Sequence, residues 1–509
     1  MDCGTQSLRA LVFDRSGELL AKSQVPLDGY FSDHDGWSEH HAHFFWDSLC
    51  RACQLLWNEH DVDAASIAGI SITTQRASVV CLDKDGEPLR PIITWMDQRK
   101  ATKLPKLSFY WRLLFSILRL NRIVKHFTQD VELNWLKQYQ PEILENTEHF
   151  VLLSGYLNYK LTDQFNDSIG NQVAYIPFDY KRHKWAKLWD WKSQSCPIAH
   201  HKLPTLVPVG ERLGEISDRA SRLTGLPQGL PVIAAAADKA CETLGCGAIQ
   251  SHQGQISYGT TATYNWLTKR YVEPTRYSPA FPSALPHTYS CEFQIYRGFW
   301  MVSWFKQQFG HSEHQEAILN DETVESILDK RAGDIPPGSD GLLLQPYWSP
   351  GLTNPGPEAR GAIIGFTDKH TKAHIYRAML EGIAFALHQG RKHLEKRSGK
   401  KISEIYVSGG GAQSHTALQL TADIFNLPVK LPKTHETSGL GAAINCAVGL
   451  GMHSDYQAAV NEMCETSEVI EPIEDNVRLY ESIFRNVYQP MYSRLKPLYH
   501  SLYDLFYKV

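Results

Sequence analysis

Hydrophobic and polar residues alternate near the start of the chain in the pattern of a β-hairpin. The apolar run from Leu8 to Phe13 predicts a first strand, the segment 14–17 is a tight-turn sequence, and the segment 18–24 predicts a second strand. The segment 44–57 instead repeats its apolar residues at helical spacing. One face of this predicted helix carries Phe45, Leu49, Cys53 and Leu56.

Strands and helices continue to alternate in the rest of the chain. An apolar strand is predicted from Val232 to Ala237, just before Asp238, and a strand near residues 255–258 leads into a Gly-Thr turn. A helix over 373–394, a strand over 404–407, a helix over 416–425 and a helical tail over 477–509 follow. This alternation is typical of the α/β class, and the recurring strand with its Gly-Thr turn indicates two related halves.

The length of the chain, 509 residues, is too great for one hydrophobic core, so we expect two large domains. We place them at 1–247 and 248–465, followed by a helical tail at 466–509. The 51 basic and 55 acidic side chains give a net charge of −4, which provides no electrostatic reason to expect a nucleic-acid partner. No apolar run approaches the roughly 20 residues that span a bilayer, so we expect no membrane span.

One segment, 99–127, mixes basic and apolar residues in an amphipathic pattern. Such a helix can lie on a membrane surface, with its basic side chains facing the lipid headgroups. The alternative interpretation is an interface or lid helix whose lysines and arginines are solvated. The basic residues of the segment are Lys100, Lys103, Lys106, Arg112, Arg119, Arg122 and Lys125.

The cysteines and the N-terminus bear on the cellular compartment. Ten cysteines are scattered along the chain, which fits reduced thiols better than a disulfide framework. Cys50 and Cys53 form a lone Cys-x-x-Cys pair without a second pair at zinc spacing, so we interpret them as core residues. The first residues also lack the features of a signal peptide. We therefore expect a cytoplasmic protein.

Three glycine-bearing turns could hold phosphate groups, although the chain has neither a P-loop nor a Gly-x-Gly-x-x-Gly motif after a strand. They lie at 2–7, 259–261 and 409–412. Glycine lets backbone N–H groups approach a phosphate closely, and threonine adds a hydroxyl donor. Asp2, beside the first turn, could hold Mg²⁺ through water. Each turn alone could be a plain turn, but their joint occurrence at strand ends favours phosphate binding.

Several motifs resemble those of the FGGY carbohydrate kinases, the group that includes glycerol kinase, xylulokinase and ribulokinase. The segment 1–10 resembles the opening Asp-x-Gly-Thr-x-Ser-x-Arg of that family, and 72–76 its substrate strand. The segment 95–99 resembles the Trp-x-Asp-x-Arg of pentulose kinases, and 361–381 resembles the C-terminal signature. The resemblance covers nearly the whole chain. It implies two RNase-H-like domains that close over a cleft, as in the actin-like ATPases.

The resemblance also implies an ATP-dependent transfer of a phosphoryl group to a sugar, and it assigns roles to residues. Asp238 would be the catalytic base; from its position alone it could instead be a helix cap. The residues implied for sugar binding are Gln75, Arg76, Trp95, Asp97, Asp238 and Lys239. Those implied for the phosphates and adenosine are Gly4, Thr5, Gln6, Gly259, Thr260, Thr261, Gly410, Gly411 and Gln413, with Asp2 for Mg²⁺. Outside this motif context, Trp95 would be a core residue and Arg76 a surface ion pair.

The chain departs from the family pattern at a few positions. Glycerol kinase has glutamate where this chain has Ala77, and glutamine where it has Lys239. Buried sugar hydroxyls left without partners cost about 1–3 kcal/mol each, so these differences argue against glycerol. The family strand begins several residues before the aspartate that corresponds to Asp2, so we hypothesise that the native chain starts upstream of Met1.

The leading hypothesis is therefore a kinase that transfers the γ-phosphoryl group of ATP to a small ketose or polyol, with Mg²⁺ as cofactor. A pentulose such as xylulose or ribulose is the first expectation, followed by erythritol, ribitol or a similar polyol. One alternative is a nucleotide-binding regulator of the same fold that transfers nothing, and another is a membrane-associated scaffold that uses 99–127. A homodimer is possible.

Overall fold

The structure is a computed structural model that describes residues 1–275, 277–349, 351 and 355–506. In the first half of the chain the strands are β1 (Asp2–Cys3), β2 (Ser7–Phe13), β3 (Leu19–Pro26), β4 (Glu39–His40), β5 (Ile70–Ser71), β6 (Thr73–Thr74), β7 (Val79–Leu82), β8 (Ile92–Ile93), β9 (His149–Leu152), β10 (Asn166–Ser168), β11 (Phe178–Asp179), β12 (Lys184–Trp185), β13 (Thr205–Val207), β14 (Arg212–Glu215) and β15 (Pro231–Ile233). The helices are α1 (Ala42–Glu59), α2 (Phe109–Ile117), α3 (Asn121–Asp130), α4 (Glu132–Tyr139), α5 (Pro141–Asn146), α6 (Leu153–Thr162), α7 (Trp191–Ser195), α8 (Asp218–Thr224) and α9 (Asp238–Gly245).

The central sheet of the first half begins with the predicted hairpin, which is confirmed as the antiparallel pair β2 and β3. β1 pairs antiparallel with β2 and parallel with β6. β5, which one residue separates from β6 along the chain, pairs parallel with β15. These pairings form two sheets, β3-β2-β1-β6 and β14-β15-β5, which only Ile72 separates along the chain. Taken together they have the order β3, β2, β1, β6/β5, β15, in which three antiparallel strands are followed by two parallel connections. The predicted helix over 44–57 is confirmed as α1, and its four predicted core residues are at most 2% exposed.

The second half of the chain repeats this arrangement. Its strands are β16 (Gln253–Tyr258), β17 (Ala262–Thr268), β18 (Phe281–Pro282), β19 (Tyr289–Ile295), β20 (Leu343–Gln345), β21 (Ala362–Ile364), β22 (Glu404–Ser408), β23 (Val429–Pro432) and β24 (Thr466–Ile470). Its helices are α10 (Trp300–Phe309), α11 (His311–Asn320), α12 (Val324–Gly333), α13 (Lys372–Ser398), α14 (His415–Phe425), α15 (Thr437–Gly449), α16 (Tyr456–Met463), α17 (Glu474–Ile483) and α18 (Gln489–Phe506).

The main sheet of this half has the order β18, β19, β17, β16, β22, β23, β24. β19, β17 and β16 are antiparallel neighbours, and β16, β22 and β23 are parallel neighbours. The order β19, β17, β16, β22, β23 thus matches the order of the first half strand for strand. The predicted α/β class and the predicted relation between the halves are confirmed by this shared topology.

Helices α9 and α15 join the two halves. Each follows the fifth strand of its sheet, and α15 also contacts strands of the first half. Glycines allow the two helices to approach closely, because a Cβ on Gly441 would lie 1.9 Å from the Cys241 carbonyl oxygen and a Cβ on Gly245 would lie 2.0 Å from the Thr437 oxygen. The N-terminus of α9, which begins at Asp238, is therefore fixed where the two halves meet.

Two of the predicted element boundaries are wrong. The strand predicted to continue to Ala237 ends at Ile233, because the Ala237 backbone N–H bonds to the Gly170 oxygen instead of to a strand partner. The tail predicted over 466–509 begins with a strand, since β24 pairs antiparallel with β23 and closes the edge of the sheet. Helical structure starts only at α17. The residues 507–509 of the predicted tail lie outside the described residues.

The basic segment 99–127 contains α2 and the start of α3, with Arg119 at a positive φ of 56° between them. Arg112 and Arg119 are exposed, as the solvated interpretation expects. Phe109 and Ile117 are exposed as well, at 75% and 69%. Among the described residues, no helix is both long and apolar enough to cross a bilayer.

Candidate active site

Asp238 is the first residue of α9 and lies where the two halves of the molecule meet. Its Oδ1 accepts a hydrogen bond of 2.7 Å from the backbone N–H of Lys239, and it is 3.9 Å from the Arg76 Nε. Burial raises the pKa of Asp238, although Lys239 and Arg76 oppose this effect. The side chain retains 27% exposure, so the carboxylate is available to a ligand as a proton acceptor.

Arg76 bridges the two halves. Its Nη1 donates to both carboxylate oxygens of Glu292 on β19, at 2.8 and 2.9 Å, while its Nε faces Asp238. The guanidinium also lies 5.6 Å from the Phe281 ring centroid. The next residue, Ala77, has a φ of 54°, an uncommon conformation for a residue with a Cβ. This turn directs Arg76 from the first half toward the second.

Gln75, Thr5 and Trp95 form a hydrogen-bonded group. The Thr5 hydroxyl donates to Gln75 Oε1 at 3.3 Å and accepts from Trp95 Nε1 at 3.0 Å. Gln75 is 3% exposed, and within the described part of the chain its Nε2 has no hydrogen-bond partner. Trp95 is 42% exposed, so its ring can contact a ligand. A buried unpaired amide beside an exposed indole is an arrangement suited to a polyol, whose hydroxyls can accept from the amide while its carbons cover the ring.

Asp97, another residue expected at the sugar, has its carboxylate engaged within the protein. Oδ1 accepts from the backbone and Nε of Arg99 at 2.8 Å each, and Oδ2 accepts from Arg99 Nη2 and the Ser38 backbone at 2.7 Å each. The Asp97 side chain is 3% exposed. Arg99 in turn lies over the Trp37 ring, 4.1 Å from its centroid. In this conformation Asp97 organises the loop that carries Trp95.

Asp2 is buried at the start of β1. Its Oδ2 accepts from Arg9 Nη1 at 3.3 Å, and Arg9 also bonds to Glu436 of the second half at 3.0 Å. Burial, and then the nearby charge of Asp238, raise the pKa of Asp2 to about 6, against the opposing effect of Arg9. The two carboxylates therefore lie within electrostatic reach of each other. An additional cation here would relieve their mutual destabilisation.

The turn at residues 4–6 connects β1 to β2. The Gly4 N–H bonds to the Ser7 oxygen at 3.1 Å, and the Tyr30 hydroxyl donates to the Thr5 carbonyl at 2.7 Å. The Gln6 side chain is exposed. Thr5 was expected at the nucleotide, yet its hydroxyl contacts Gln75 and Trp95, so the turn lies beside the group expected to bind sugar.

The turn at 259–261 connects β16 to β17. The Gly259 oxygen accepts from the Phe299 backbone N–H at 3.1 Å, and Thr261 Oγ1 donates to a backbone carbonyl just before α10 at 3.1 Å. The Thr260 oxygen accepts from the first residue of that helix at 3.3 Å. The start of α10 thus supports the backbone of this turn.

The turn Gly410–Gln413 follows β22 and lies beside the turn at 259–261. A Cβ on Gly411 would come within 2.3 Å of the Phe299 ring, whereas a Cβ on Gly410 would meet nothing within 4 Å. Gly409 has a φ of +86° and packs against the Tyr258 backbone. The recess beside the turn is lined in part by Leu431, Pro432, Thr434 and His435. The structure therefore brings the two C-terminal glycine turns together around one aromatic ring.

Lys239, expected at the sugar, extends toward the second half. Its Nζ donates to Glu242 Oε2 and to Ser257 Oγ, both at 2.8 Å. Glu242 also accepts from Ser408 at 2.7 Å. α9 is thereby tied to the ends of β16 and β22.

Three acidic residues of the site were missed by sequence reasoning. Glu292 and Glu242 lie within a strand and a helix that show no motif, and each acquires its role from a partner brought near by folding. Glu436 binds Arg9 and Lys22 at the start of α15. Arg9 stands at the arginine of the Asp-x-Gly-Thr-x-Ser-x-Arg motif, which is the one sequence signal that could have pointed to this cluster.

Comparison with known proteins agrees with this architecture. Residues 1–245 match the N-terminal domain of the FGGY family of carbohydrate kinases, and residues 254–450 match its C-terminal domain. An uncharacterised sugar kinase, YgcE, of Escherichia coli is 30% identical over 96% of this chain and 92% of its own length. A xylulose kinase of Staphylococcus epidermidis is 29% identical over 98% of this chain and 97% of its own length.

Solved structures share the fold. A ligand-bound xylulose kinase from Lactobacillus acidophilus superposes with a TM-score of 0.82 at 22% identity, over 99% of both chains. A xylulose kinase from Rhodospirillum rubrum gives a TM-score of 0.80 at 24% identity, over 98% of both. These neighbours confirm the predicted two-domain actin-like architecture. The chain belongs to the FGGY family of carbohydrate kinases, which are ATP-dependent sugar phosphotransferases.

Proposed function

We propose that this kinase phosphorylates a pentulose, such as xylulose or ribulose, with Asp238 as the general base. The observation that carries the proposal is the position of the Asp238 carboxylate. The carboxylate faces Arg76, which follows Gln75 of the group expected to bind sugar. Asp238 is also the first residue of α9, and this helix is hydrogen-bonded to Ser257 and Ser408, just before the glycine turns 259–261 and 410–413. One carboxylate would thus adjoin both expected substrates.

In the proposed reaction, Asp238 accepts the proton of the sugar hydroxyl as the oxygen of that hydroxyl forms a bond to the γ-phosphorus of ATP. The bond from the γ-phosphorus to the bridging oxygen breaks, and ADP leaves with the electron pair. Burial raises the pKa of Asp238, which makes the carboxylate a better proton acceptor than an exposed aspartate. Arg76, fixed by Glu292, binds and orients the sugar.

We assign the sugar to Gln75, Arg76, Trp95 and Asp238. The unpaired Gln75 Nε2 would donate to a hydroxyl, and the exposed Trp95 ring would cover the carbon chain. Asp97 would hold the Trp95 loop through Arg99 and Ser38, and its own contact with sugar would require those bonds to open.

We assign the nucleotide to the three glycine turns. Gly4, Thr5 and Gln6 would contact the transferred phosphoryl group, and Gly259, Thr260 and Thr261 the β- and γ-phosphates. Gly410, Gly411 and Gln413 would lie along the α-phosphate and adenosine, beside the recess after β22. The open space at Gly410 supports this placement, because a phosphate can approach the backbone there.

Magnesium is the expected cofactor, and Asp2 is the residue proposed to hold it through water. Support for a hard cation comes from two carboxylates within electrostatic reach, since burial and the charge of Asp238 raise the pKa of Asp2 against the opposing effect of Arg9. When bound, Mg²⁺ would neutralise part of the charge of the triphosphate.

Relatives support the choice of substrate. Proteins named xylulose kinase from Staphylococcus epidermidis, Bacillus subtilis and Lactococcus lactis are 26–29% identical over nearly the whole chain. A glycerol kinase of Dechloromonas aromatica is 26% identical, but Ala77 and Lys239 replace two side chains of the glycerol kinase pattern. A polyol such as erythritol or ribitol is therefore the second candidate.

The test is a panel of ketoses and polyols in an assay that couples ADP release to a detectable signal. We expect a pentulose to stimulate ADP release well above the rate without sugar. Stimulation by a polyol alone would support the second candidate. If no sugar stimulates the purified protein while it binds ATP, the transfer function is wrong and a nucleotide-binding regulator is favoured. A parallel thermal-shift screen with ADP present would show which sugars bind.

We also propose a domain boundary near residue 248, a cytoplasmic location and a homodimer. Among the described residues, no sheet combines a strand before residue 248 with a strand after it, which supports the boundary. The exposed stripe of Leu498, Leu502, Leu505 and Phe506 on α18 supports self-association. Light scattering after size-exclusion chromatography tests the dimer, and a monomeric mass at micromolar concentration would contradict it.

A further inference from the structure

Lys239 has different contacts from the other residues that the family resemblance implies for sugar binding. Its hydrogen bonds go to Glu242 one turn further along α9 and to Ser257 at the end of β16. Ser257 lies two residues before Gly259, and Lys239 Nζ is 4.0 Å from the position of a Cβ on Gly259. The ammonium group therefore lies at the base of the turn 259–261 and not with Gln75, Thr5 and Trp95.

The ammonium has hydrogen-bonding capacity left. A lysine ammonium has three N–H donors, and the bonds to Glu242 and Ser257 account for two of them. The side chain keeps 21% exposure. Burial lowers the pKa of Lys239, but the Glu242 and Asp238 carboxylates outweigh it, so the net pKa is raised and the group is charged at neutral pH.

Glu242 holds the lysine in place. Its side chain is 6% exposed, and it accepts from Lys239 through Oε2 and from Ser408 through Oε1. Ser408 also accepts from Gln255 at 2.8 Å and directly precedes the turn 409–413. Although burial alone would raise the pKa of Glu242, Lys239 and Ser408 lower it, so Glu242 stays ionised. Glu242 thus links Lys239 to the bases of both C-terminal phosphate turns.

We propose that Lys239 Nζ binds the γ-phosphate of ATP as a catalytic cation, with Glu242 as its positioning residue. This inference rests on the proposed function in its placement of the triphosphate. A cation between Asp238 and the turn 259–261 neutralises charge on the phosphoryl group while the sugar oxygen attacks and ADP leaves. Where glycerol kinase has a neutral glutamine, this chain supplies a point charge.

The first experiment needs no sugar. The affinities of wild type and Lys239→Met for ADP and for a non-hydrolysable ATP analogue are measured by calorimetry with Mg²⁺. We expect the variant to lose about tenfold or more in affinity for the analogue and little for ADP. Equal losses for both nucleotides, or no loss, would overturn the proposal. The control is Lys372→Met, since Lys372 also pairs with a buried carboxylate, that of Glu313 at 2.7 Å.

The second experiment uses the sugar found by the panel. We expect Lys239→Met to lower kcat by about 10²-fold with a nearly unchanged KM for sugar. A raised sugar KM with an unchanged kcat would show that Lys239 binds sugar and would overturn the proposal. If the wild-type protein phosphorylates no sugar, the proposed function is wrong. The nucleotide affinities of the first experiment would still show whether Lys239 binds the γ-phosphate.

The single variant leaves Glu242 without its cation, which can destabilise the fold. The double variant Lys239→Met/Glu242→Gln removes both charges, so we expect it to fold and to allow the same measurements. Lys239→Arg, which keeps the charge, should recover at least part of the preference for the ATP analogue. A double variant that folds and binds the analogue as wild type does would count against the proposal.

Discussion

Arg76 and Glu292 form an ion pair that connects the two halves of the molecule, with Arg76 Nη1 2.8 and 2.9 Å from the two carboxylate oxygens. The other side of the same guanidinium is 3.9 Å from Asp238. Arg76 is thus shared between the proposed base and an anion of the opposite half. Glu292, whose side chain is 3% exposed, takes the closer contact with the guanidinium, and Asp238, the proposed base, has only the longer contact of 3.9 Å.

We therefore expect Glu292→Gln to weaken the base. Without Glu292 the guanidinium can close on Asp238 and lower the pKa of this carboxyl. The acid limb of the kcat profile should move to lower pH, and kcat at neutral pH should fall because the carboxylate is a poorer proton acceptor. The measurement is kcat against pH with saturating sugar and ATP.

The control for that variant is Glu273→Gln. Glu273 forms an ion pair with Arg397 at a distance of 3.6 Å, and this pair lies away from Asp238. The control variant should leave the acid limb where it is in wild type. A profile for Glu292→Gln that superposes on the wild-type profile would mean that the ion pair has no influence on the base.

Asp238→Asn should remove the proton acceptor while changing little else. The amide oxygen can still accept from the Lys239 backbone N–H, so the start of α9 should keep its geometry. We expect sugar-dependent ADP release to fall by about 10²–10⁴-fold. Calorimetry should give nearly wild-type affinity for ADP. Turnover close to that of wild type would place the base elsewhere.

Gly410 and Gly411 offer a matched pair of variants in the turn that we propose to lie along the adenosine. A Cβ on Gly411 would lie 2.3 Å from the Phe299 ring, so Gly411→Ala should lower the melting temperature. A Cβ on Gly410 would meet nothing within 4 Å in the protein, so Gly410→Ala should fold normally. If nucleotide lies against Gly410, that variant alone should lose ADP affinity at unchanged stability. If Gly410→Ala binds ADP with wild-type affinity, the nucleotide does not lie against this turn.

Local patterns predicted much of the fold but little of the way its parts connect. The hairpin and α1 were predictable because their hydrophobic periodicity depends only on residues close together in the sequence, and the burial of Phe45 follows from that periodicity. The strand before Asp238 was predicted too long, since alanines have no preference that reveals where strand pairing stops. The tertiary partner of each segment, which decides such ends, is not visible in the segment itself.

The site shows the same division. The glycine turns and Asp238 stand in short motifs, so their candidacy was visible in the sequence. Arg76 and Glu292 are 216 residues apart and lie in no common motif, so their pairing emerges only from the fold. Asp97 illustrates a different limit. Its motif cannot show that Arg99, two residues later, folds back onto the carboxylate.

Asp2 should make folding stability depend on pH in an unusual direction. Its pKa in the folded protein is raised to about 6 from the ordinary value of 3.8, mainly by burial. A raised carboxyl pKa contributes stability that is complete below the unfolded value and is lost as pH rises through about 6. Asp2→Asn stays neutral throughout. Its melting temperature relative to wild type should therefore be higher at about pH 8 than at about pH 5.

Asp14→Asn in the first hairpin provides a control whose effect should not change between about pH 5 and about pH 8. Hydrogen bonds, first from the Ser16 hydroxyl, lower the pKa of Asp14 below its ordinary value of 3.8, so the stability that this carboxylate contributes is complete at both pH values and is lost only in stronger acid.

Adding Mg²⁺ with ADP gives the test of the metal proposal. If Asp2 holds the ion through water, ligand at about pH 8 should raise the melting temperature of wild type more than that of Asp2→Asn, because only the carboxylate gains a cation. Equal shifts of the melting temperature in the two proteins would show that Asp2 does not hold the ion. The predicted effect of Asp2 on the pH dependence of stability would not be affected by that result.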